Sequence, residues 1–371
     1  MISGGDIISF LGLTPSPLLY YICRTSPGRT IRGEIARLRL LETDRLPDLP
    51  SLRLAHTLLS CLRKGSVFLT EIFITKNCKI SSWRRSDQIP DSHSYVFSDP
   101  SSPATELPAQ LAVPWARVSD RLGLPPIILH STITLSNWRL INTELSLTLD
   151  NLTTLYSLDT TRDLQVFFMI PLLVELRAVP AIKALVEILI SDNEVESEVS
   201  SCLDVVSVSL IEMTRELTRM HSLVSPSLFY HKHRVLLSGW RDNPSLPEGL
   251  LYQGVSDHPL QFSGGSAAQS SVIQMIDVCL GVEHGQREGE FLLRMRQYMP
   301  PNQRKMLEQL ASFPSLRTVC EGREELEGKY NECLARLAEL RTQHLILVSR
   351  YIISQVYIAE LHTYNISILP G

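Results

Sequence analysis

Of the ten histidines in this chain, His344 stands where a side chain could do the most chemistry. Leu326, Tyr330, Cys333, Leu337, Leu340, Leu347 and Tyr351 follow one another by fours and threes, the spacing of a single buried helical stripe. His344 falls on that stripe, at a step where a hydrophobe is expected. Arg341 lies one turn earlier on the same side. Two chemistries fit this arrangement. One is a core histidine hydrogen-bonded to a carbonyl, the usual fate of a buried polar ring. The other is a neutral imidazole that binds iron from inside an apolar pocket, the proximal ligand of a haem, with Arg341 pairing to a propionate. The second leaves the far face of the iron open to O2. A lone histidine has no ligand spacing to decide between them.

A second group of residues lies between Phe229 and Gly281. Arg234 follows an aromatic helix start, and its guanidinium offers a two-pronged donor to a carboxylate. The plainer role for such an arginine is a surface ion pair, which stabilises little. From Ser263 to Ser271 the chain reads SGGSAAQSS, where only Gln269 has a long side chain. So little side-chain volume means that something else comes close to the backbone. Other candidates carry less. His231 and His233 are two apart, a spacing that splays them around a helix rather than onto one metal. SGGSAAQSS is not a phosphate loop, because no Gly-Lys-Ser/Thr follows, and no GxSxG nucleophile motif occurs.

The elements that must position these residues are mostly helical. Glu324 to about Ile353 carries the His344 stripe. Glu194–Ser222 has helical spacing, and residues 163–192 form a long apolar helix interrupted at Pro171 and Pro180, where kinks are expected. Within it the apolar run Val166–Val174 falls short of the roughly 20 residues a bilayer span needs, and reads as a buried helix. A short helix is predicted from Pro114 to before Pro125, with Pro114 in its first turn, followed by a second segment, Ile127–Trp138. Ser51–Leu62 is amphipathic, and the β-branched stretch near residue 70 reads as a strand.

The whole chain has 371 residues, 44% of them hydrophobic and 20% charged, enough for a large core. Its net charge is −4 with no long run of either sign, which argues against a nucleic-acid binder. Seven cysteines without a CxxC pair fit reduced thiols and a cytoplasmic protein. The apolar patch near Ile7 has no basic leader and is broken by Pro15 and Pro17, so no signal peptide is expected.

Six stretches then fall in order: PWARVSDRLGLPPIILHSTITLSNW, FFMIPLLVELRAVPAIK, LSGWRDNPSLPEGLLYQG, FSGGSAAQSSVIQMIDVCLG, MRQYMPPNQRKML and LRTQHLILVSRYI. Together they resemble the indoleamine 2,3-dioxygenase family over most of residues 107–353. The resemblance implies an all-α, two-domain haem dioxygenase: a small N-terminal helical domain over 1–158 and a large haem and substrate domain over 159–371. It implies haem b, L-tryptophan or a related indole, O2, an electron donor that keeps iron ferrous, and a monomer. By resemblance, His344 is the iron ligand, Arg341 the propionate partner and Asp277 its support. Arg234 grips the substrate carboxylate, with Phe229 and Phe167 beside the indole. Gly265, Ser266 and Ala267 lie over the haem, Ser266 with a catalytic part. His130 is a distal-pocket residue, able to accept from the indole N–H or touch O2. Three departures stand out. Pro171 replaces the small or polar residue usual in the pocket helix; 64–92 reads as an insertion or gene-model artefact; and the match ends after Ile353, without the family's Gly-Thr-rich closing loop. Without that loop the alternative is a non-catalytic haem-binding or signalling relative.

Overall fold

The computed structural model describes residues 103–156, 161–191 and 195–358, with Leu49, Leu52, Arg53, Ala55–Thr57 and Val96. The possible strand near residue 70, the stretch 64–92 and the tail beyond Ile358 lie outside the described residues.

In chain order the main elements are β1 (Glu106–Leu107), α1 (Ala109–Leu122), β2 (Trp138–Leu140), β3 (Leu152–Thr154), α2 (Arg162–Leu189) and α3 (Glu196–Thr218). After these come β4 (Leu251–Tyr252), α4 (Ser271–Leu280), α5 (Gln286–Arg296), α6 (Pro301–Leu310) and α7 (Glu324–Val348). The strands are short: β1 pairs in parallel with β4, and β2 with β3 antiparallel, Trp138 opposite Thr154. Among the described residues everything else of size is helix.

α1 corrects one expectation. It starts at Ala109, after Pro108, so Pro114 lies inside the helix and not in its first turn. It stops because Gly123 takes a φ of 64°, sending its N–H back to Asp120 O. The predicted segment Ile127–Trp138 is also mostly not helix. Only Ser131–Leu135 forms a wide π turn, with His130 at its start, and Trp138 already begins β2.

α2 runs unbroken through Pro171 and Pro180. Each proline lacks the N–H that would bond four residues back, so the carbonyls of Phe167 and Leu176 lose their helical donors. The helix survives because its apolar face is locked by packing: Leu164, Phe168, Leu172, Ala178 and Leu185 are all buried, at 1% exposure or less. Its 28 residues are long and apolar enough to cross a bilayer, yet 56% of the most apolar window is buried inside the protein. α3 packs along α2, and α7 along α3. Glutamates in the first turns of α3 (Glu196, Glu198) and α7 (Glu324, Glu325, Glu327) complement the helix dipoles.

One core joins these three helices to α4 and α6; a second gathers Leu107, Trp115, Leu129, Trp240, Tyr252 and Met295. Residues on both sides of position 158 enter both cores. The histidine of the predicted Ser51–Leu62 helix, His56, is wholly buried and within 3.3 Å of the Pro125 carbonyl. Burial lowers its pKa to about 4, keeping the ring neutral.

Candidate functional site

α7 places the histidine stripe as its spacing requires. Leu326, Tyr330, Cys333, Leu337, Leu340 and Leu347 are buried, as is Tyr351 in the wide turn Ser349–Ile353 that follows. His344 alone on this stripe is exposed. It has no hydrogen-bond partner among the described residues, which removes the reading of a core histidine satisfied by a carbonyl. Desolvation nevertheless lowers its pKa, holding the imidazole neutral. A neutral imidazole with no partner of its own is free to bind iron, and Arg341 stands one turn away on the same helix, so the residues present fit a haem.

Arg341 is anchored. Its Nη2 donates to Asp277 Oδ1, and the other carboxylate oxygen lies 3.0 Å from His284 Nε2. α4 positions Asp277 because Gly281, at φ 69°, closes the helix and turns the chain so that Val282 N donates to Asp277 O. Asp277 is buried, and burial raises its pKa despite the opposing pull of Arg341 and His284. Sequence reasoning missed His284, which has no pattern signal.

Three aromatic rings pack on one another. Phe167 of α2 and Phe229 pack at 4.7 Å between centroids, and Phe229 meets Tyr351 edge-on at 5.8 Å. Tyr351 is itself pinned, its hydroxyl donating to the Met220 and Val224 carbonyls at 2.7 Å. Phe229 opens a second wide π turn, Phe229–His233, and Arg234 follows in the next short helix. Arg234 is exposed, lies 5.2 Å over the Tyr230 ring, and has no carboxylate partner among the described residues. It is a cation available to a ligand, and not the paired surface arginine of the plainer reading.

The small-residue run has two distinct reasons for its glycines. A Cβ on Gly264 would sit 2.3 Å from Leu237 O and 2.5 Å from Gly239 N, so here two backbones cross. The crossing is fixed where Trp240 N and Arg241 N donate to Phe262 O at 2.8 and 2.9 Å. At Gly265 an added Cβ would meet only the Ile133 side chain, at 3.4 Å, and Ile128 beyond it. Gly265 thus has ordinary van der Waals contact where Gly264 has a backbone crossing. Ser266 caps the turn Ala267–Gln269 by accepting from Ala268 N, which commits its oxygen locally, and Ala267 is exposed.

Gln269, the one long side chain in the run, is buried and holds it. Its Nε2 donates to Gly264 O at 2.8 Å, and its Oε1 accepts from His130 N at 3.0 Å. His130 in turn places Nε2 2.9 Å from Glu175 Oε1 of α2, both side chains being buried. Glu175 was not among the predicted site residues, though a carboxylate inside an apolar helix face is a visible signal.

These features define a helical protein with an unpaired histidine and an anchored arginine on one long helix, a cluster of aromatic rings, an exposed arginine without a carboxylate partner, and a small-residue run tied to His130. The profile of the family described as Indoleamine 2,3-dioxygenase matches residues 78–365. That match takes in part of the stretch 64–92 and runs past Ile353. Indoleamine 2,3-dioxygenase 2 of Homo sapiens is 37% identical over 327 residues, covering 87% of this chain and 74% of the relative. The 6-hydroxytryptophan 2,3-dioxygenase of Fusarium equiseti is 33% identical over 269 residues, 71% of this chain and 66% of that protein. A protein named myoglobin, from Haliotis madaka, is 31% identical over 255 residues, 67% and 65% of the two chains. The chain belongs to the indoleamine 2,3-dioxygenase family. Enzymes of this family are haem-dependent dioxygenases, and the all-α fold is theirs.

Proposed function

We propose that this chain is a cytosolic, monomeric dioxygenase that adds both atoms of O2 across the indole 2,3-bond of L-tryptophan, or a related indole, giving N-formylkynurenine. The observation that carries this reading is His344: an unpaired imidazole with a lowered pKa, exposed on an otherwise buried apolar stripe. A bound haem b, kept ferrous by an electron donor, would supply the O2 chemistry. The protein's own part is binding and orientation. His344 would hold the iron, and Arg341, steadied by Asp277, would take a propionate. Arg234 grips the substrate carboxylate, which fixes the indole against Phe167 and Phe229. Gly265, Ser266 and Ala267 form a thin roof that lets two flat ring systems approach, and His130 borders the distal side.

A second reading has its own support, since one relative is named a myoglobin rather than a dioxygenase. The same pocket could serve a haem protein without turnover. One preparation separates the readings. Haem-supplied wild type is expected to show a Soret band that is lost in His344→Ala. Ferrous protein given tryptophan and O2 is expected to form formylkynurenine. A Soret band without product leaves the non-catalytic reading, and a well-folded wild type that takes up no haem overturns both.

A further inference from the structure

The pair His130–Glu175 has more in it than packing requires. His130 Nε2 and Glu175 Oε1 are 2.9 Å apart, and the two residues are 7% and 2% exposed. The second carboxylate oxygen, Oε2, is sealed from solvent and has no partner, so the pair is not one that stability alone would favour. Its placement is specific. Phe167, Pro171 and Glu175 recur every four residues and share one face of α2, so Glu175 stands two turns from the aromatic wall. On the other side, the His130 backbone N–H is tied through Gln269 to Gly264 of the roof. His130 thus ties α2, the helix that carries Phe167, to the small-residue run.

A carboxylate accepts and does not donate, so the ring nitrogen facing Glu175 carries the proton. In a neutral imidazole the other nitrogen is then an acceptor with a free lone pair. That nitrogen, Nδ1, has no hydrogen-bond partner among the described residues, and it is not sealed from solvent as Glu175 Oε2 is. We propose that Glu175 is a positioning residue that locks His130 in the Nε2–H tautomer, so that Nδ1 accepts a hydrogen bond from the ring N–H of the bound substrate. The lock makes the site selective for indoles with a free N–H. This rests on the tryptophan-type substrate reading above, and it adds the residue that sets selectivity.

Two measurements test it. Nitrogen-15 NMR of the haem-free protein, with the ring assigned by its loss in His130→Gln, is expected to show neutral His130 protonated at Nε2. A ring protonated at Nδ1, or at both nitrogens, overturns the lock. Calorimetry on the haem-loaded protein then compares L-tryptophan with its benzothiophene analogue, in which sulfur replaces the ring N–H. Wild type is expected to prefer tryptophan about three- to tenfold, the range of one net hydrogen bond. In Glu175→Gln, whose amide can also donate to Nε2 and release the tautomer, the preference is expected to fall towards parity, with affinity for the analogue unchanged. An unchanged preference, or equal losses for both ligands, overturns the proposal. If wild type binds neither ligand while His130 has the expected tautomer, the substrate reading has failed and the lock itself stands.

Discussion

Replacing Asp277 by Asn separates what this carboxylate does for the fold from what it does for the pocket. Asp277 is 6% exposed at its side chain and bonded to both Arg341 and His284. If the Arg341 pair behaved as a fully buried one, removing a partner would cost about 3–5 kcal/mol. Arg341, however, is 38% exposed, and a pair with one solvated member is worth only about 0–1 kcal/mol. The raised pKa of Asp277 decides between these figures. Burial outweighs both partners, so the ionised carboxylate is a net burden on the folded state. Asp277→Asn keeps the shape and an acceptor while removing the buried charge, so at pH 7 it should cost less than about 1 kcal/mol.

The pH dependence has a definite sign. Because its pKa is raised on folding, the folded protein holds this proton more tightly than the unfolded chain does. Stability from Asp277 is therefore greatest below its ordinary pKa, falls as pH rises through the raised folded value, and is flat above it. Asp277→Asn lacks that fall. Urea denaturation of both proteins between about pH 4 and pH 8 should show the variant gaining on wild type across the interval. The cost appears elsewhere: Arg341 loses its anchor, and haem affinity should drop about 10- to 100-fold in competition with a haem scavenger. A loss of 3–5 kcal/mol at pH 7 with haem affinity intact would falsify this reasoning.

Arg234→Ala should raise the tryptophan KM by about 10- to 150-fold, from loss of a charge-assisted bond of roughly 1.5–3 kcal/mol, and leave the haem spectrum intact; loss of the Soret band instead counts against the clamp role. Gly264→Ala forces a Cβ to 2.3 Å from a carbonyl and should cost at least about 3 kcal/mol, whereas Gly265→Ala meets ordinary contact at 3.4 Å and should cost under about 1 kcal/mol while narrowing the pocket. Thermal melts check both, and equal losses would refute the distinction between crossing and roof. Burial, and secondarily neighbouring cysteines, push the Cys202 thiol up to about 12, and burial likewise takes Cys279 and Cys333 to about 12. With Cys320 also buried, none of the four should alkylate in the native protein, as read by site-resolved mass spectrometry; native labelling at any of them sinks this expectation.

What the sequence made legible follows from which signals are local. Helix period is local, so α2, α3 and α7 could be drawn from the spacing of Leu, Val and Ile, and His344 stood out because it interrupts such a period. The start of α1 was misplaced because Pro114 is usual in a first turn but also tolerated deeper, where packing of Trp115 and Val118 outweighs the lost hydrogen bond. The wide turns at Ser131–Leu135, Phe229–His233 and Ser349–Ile353 left no mark in the periodicity. Yet they place His130, Phe229 and Tyr351. A π turn is a one-residue excess that tertiary contacts stabilise, so it is visible only after folding.

The small-residue run shows how one composition can serve two purposes. Read as a sequence, SGGSAAQSS is empty volume, and the simplest account gives all of it to a ligand. In the folded chain Gly264 is small because Gly239 passes against it, while Gly265 is small with nothing but Ile133 and Ile128 nearby. The first is a constraint of chain crossing, set by a glycine 25 residues earlier; the second faces only the side-chain packing of the Ser131–Leu135 turn and the residues before it. Gln269, the exception in the run, ties the two together by holding the Gly264 carbonyl on one side and His130 on the other. The run is therefore fixed at both ends of this tie, and a ligand that bound against it would not have to order a glycine-rich loop at the cost of its entropy.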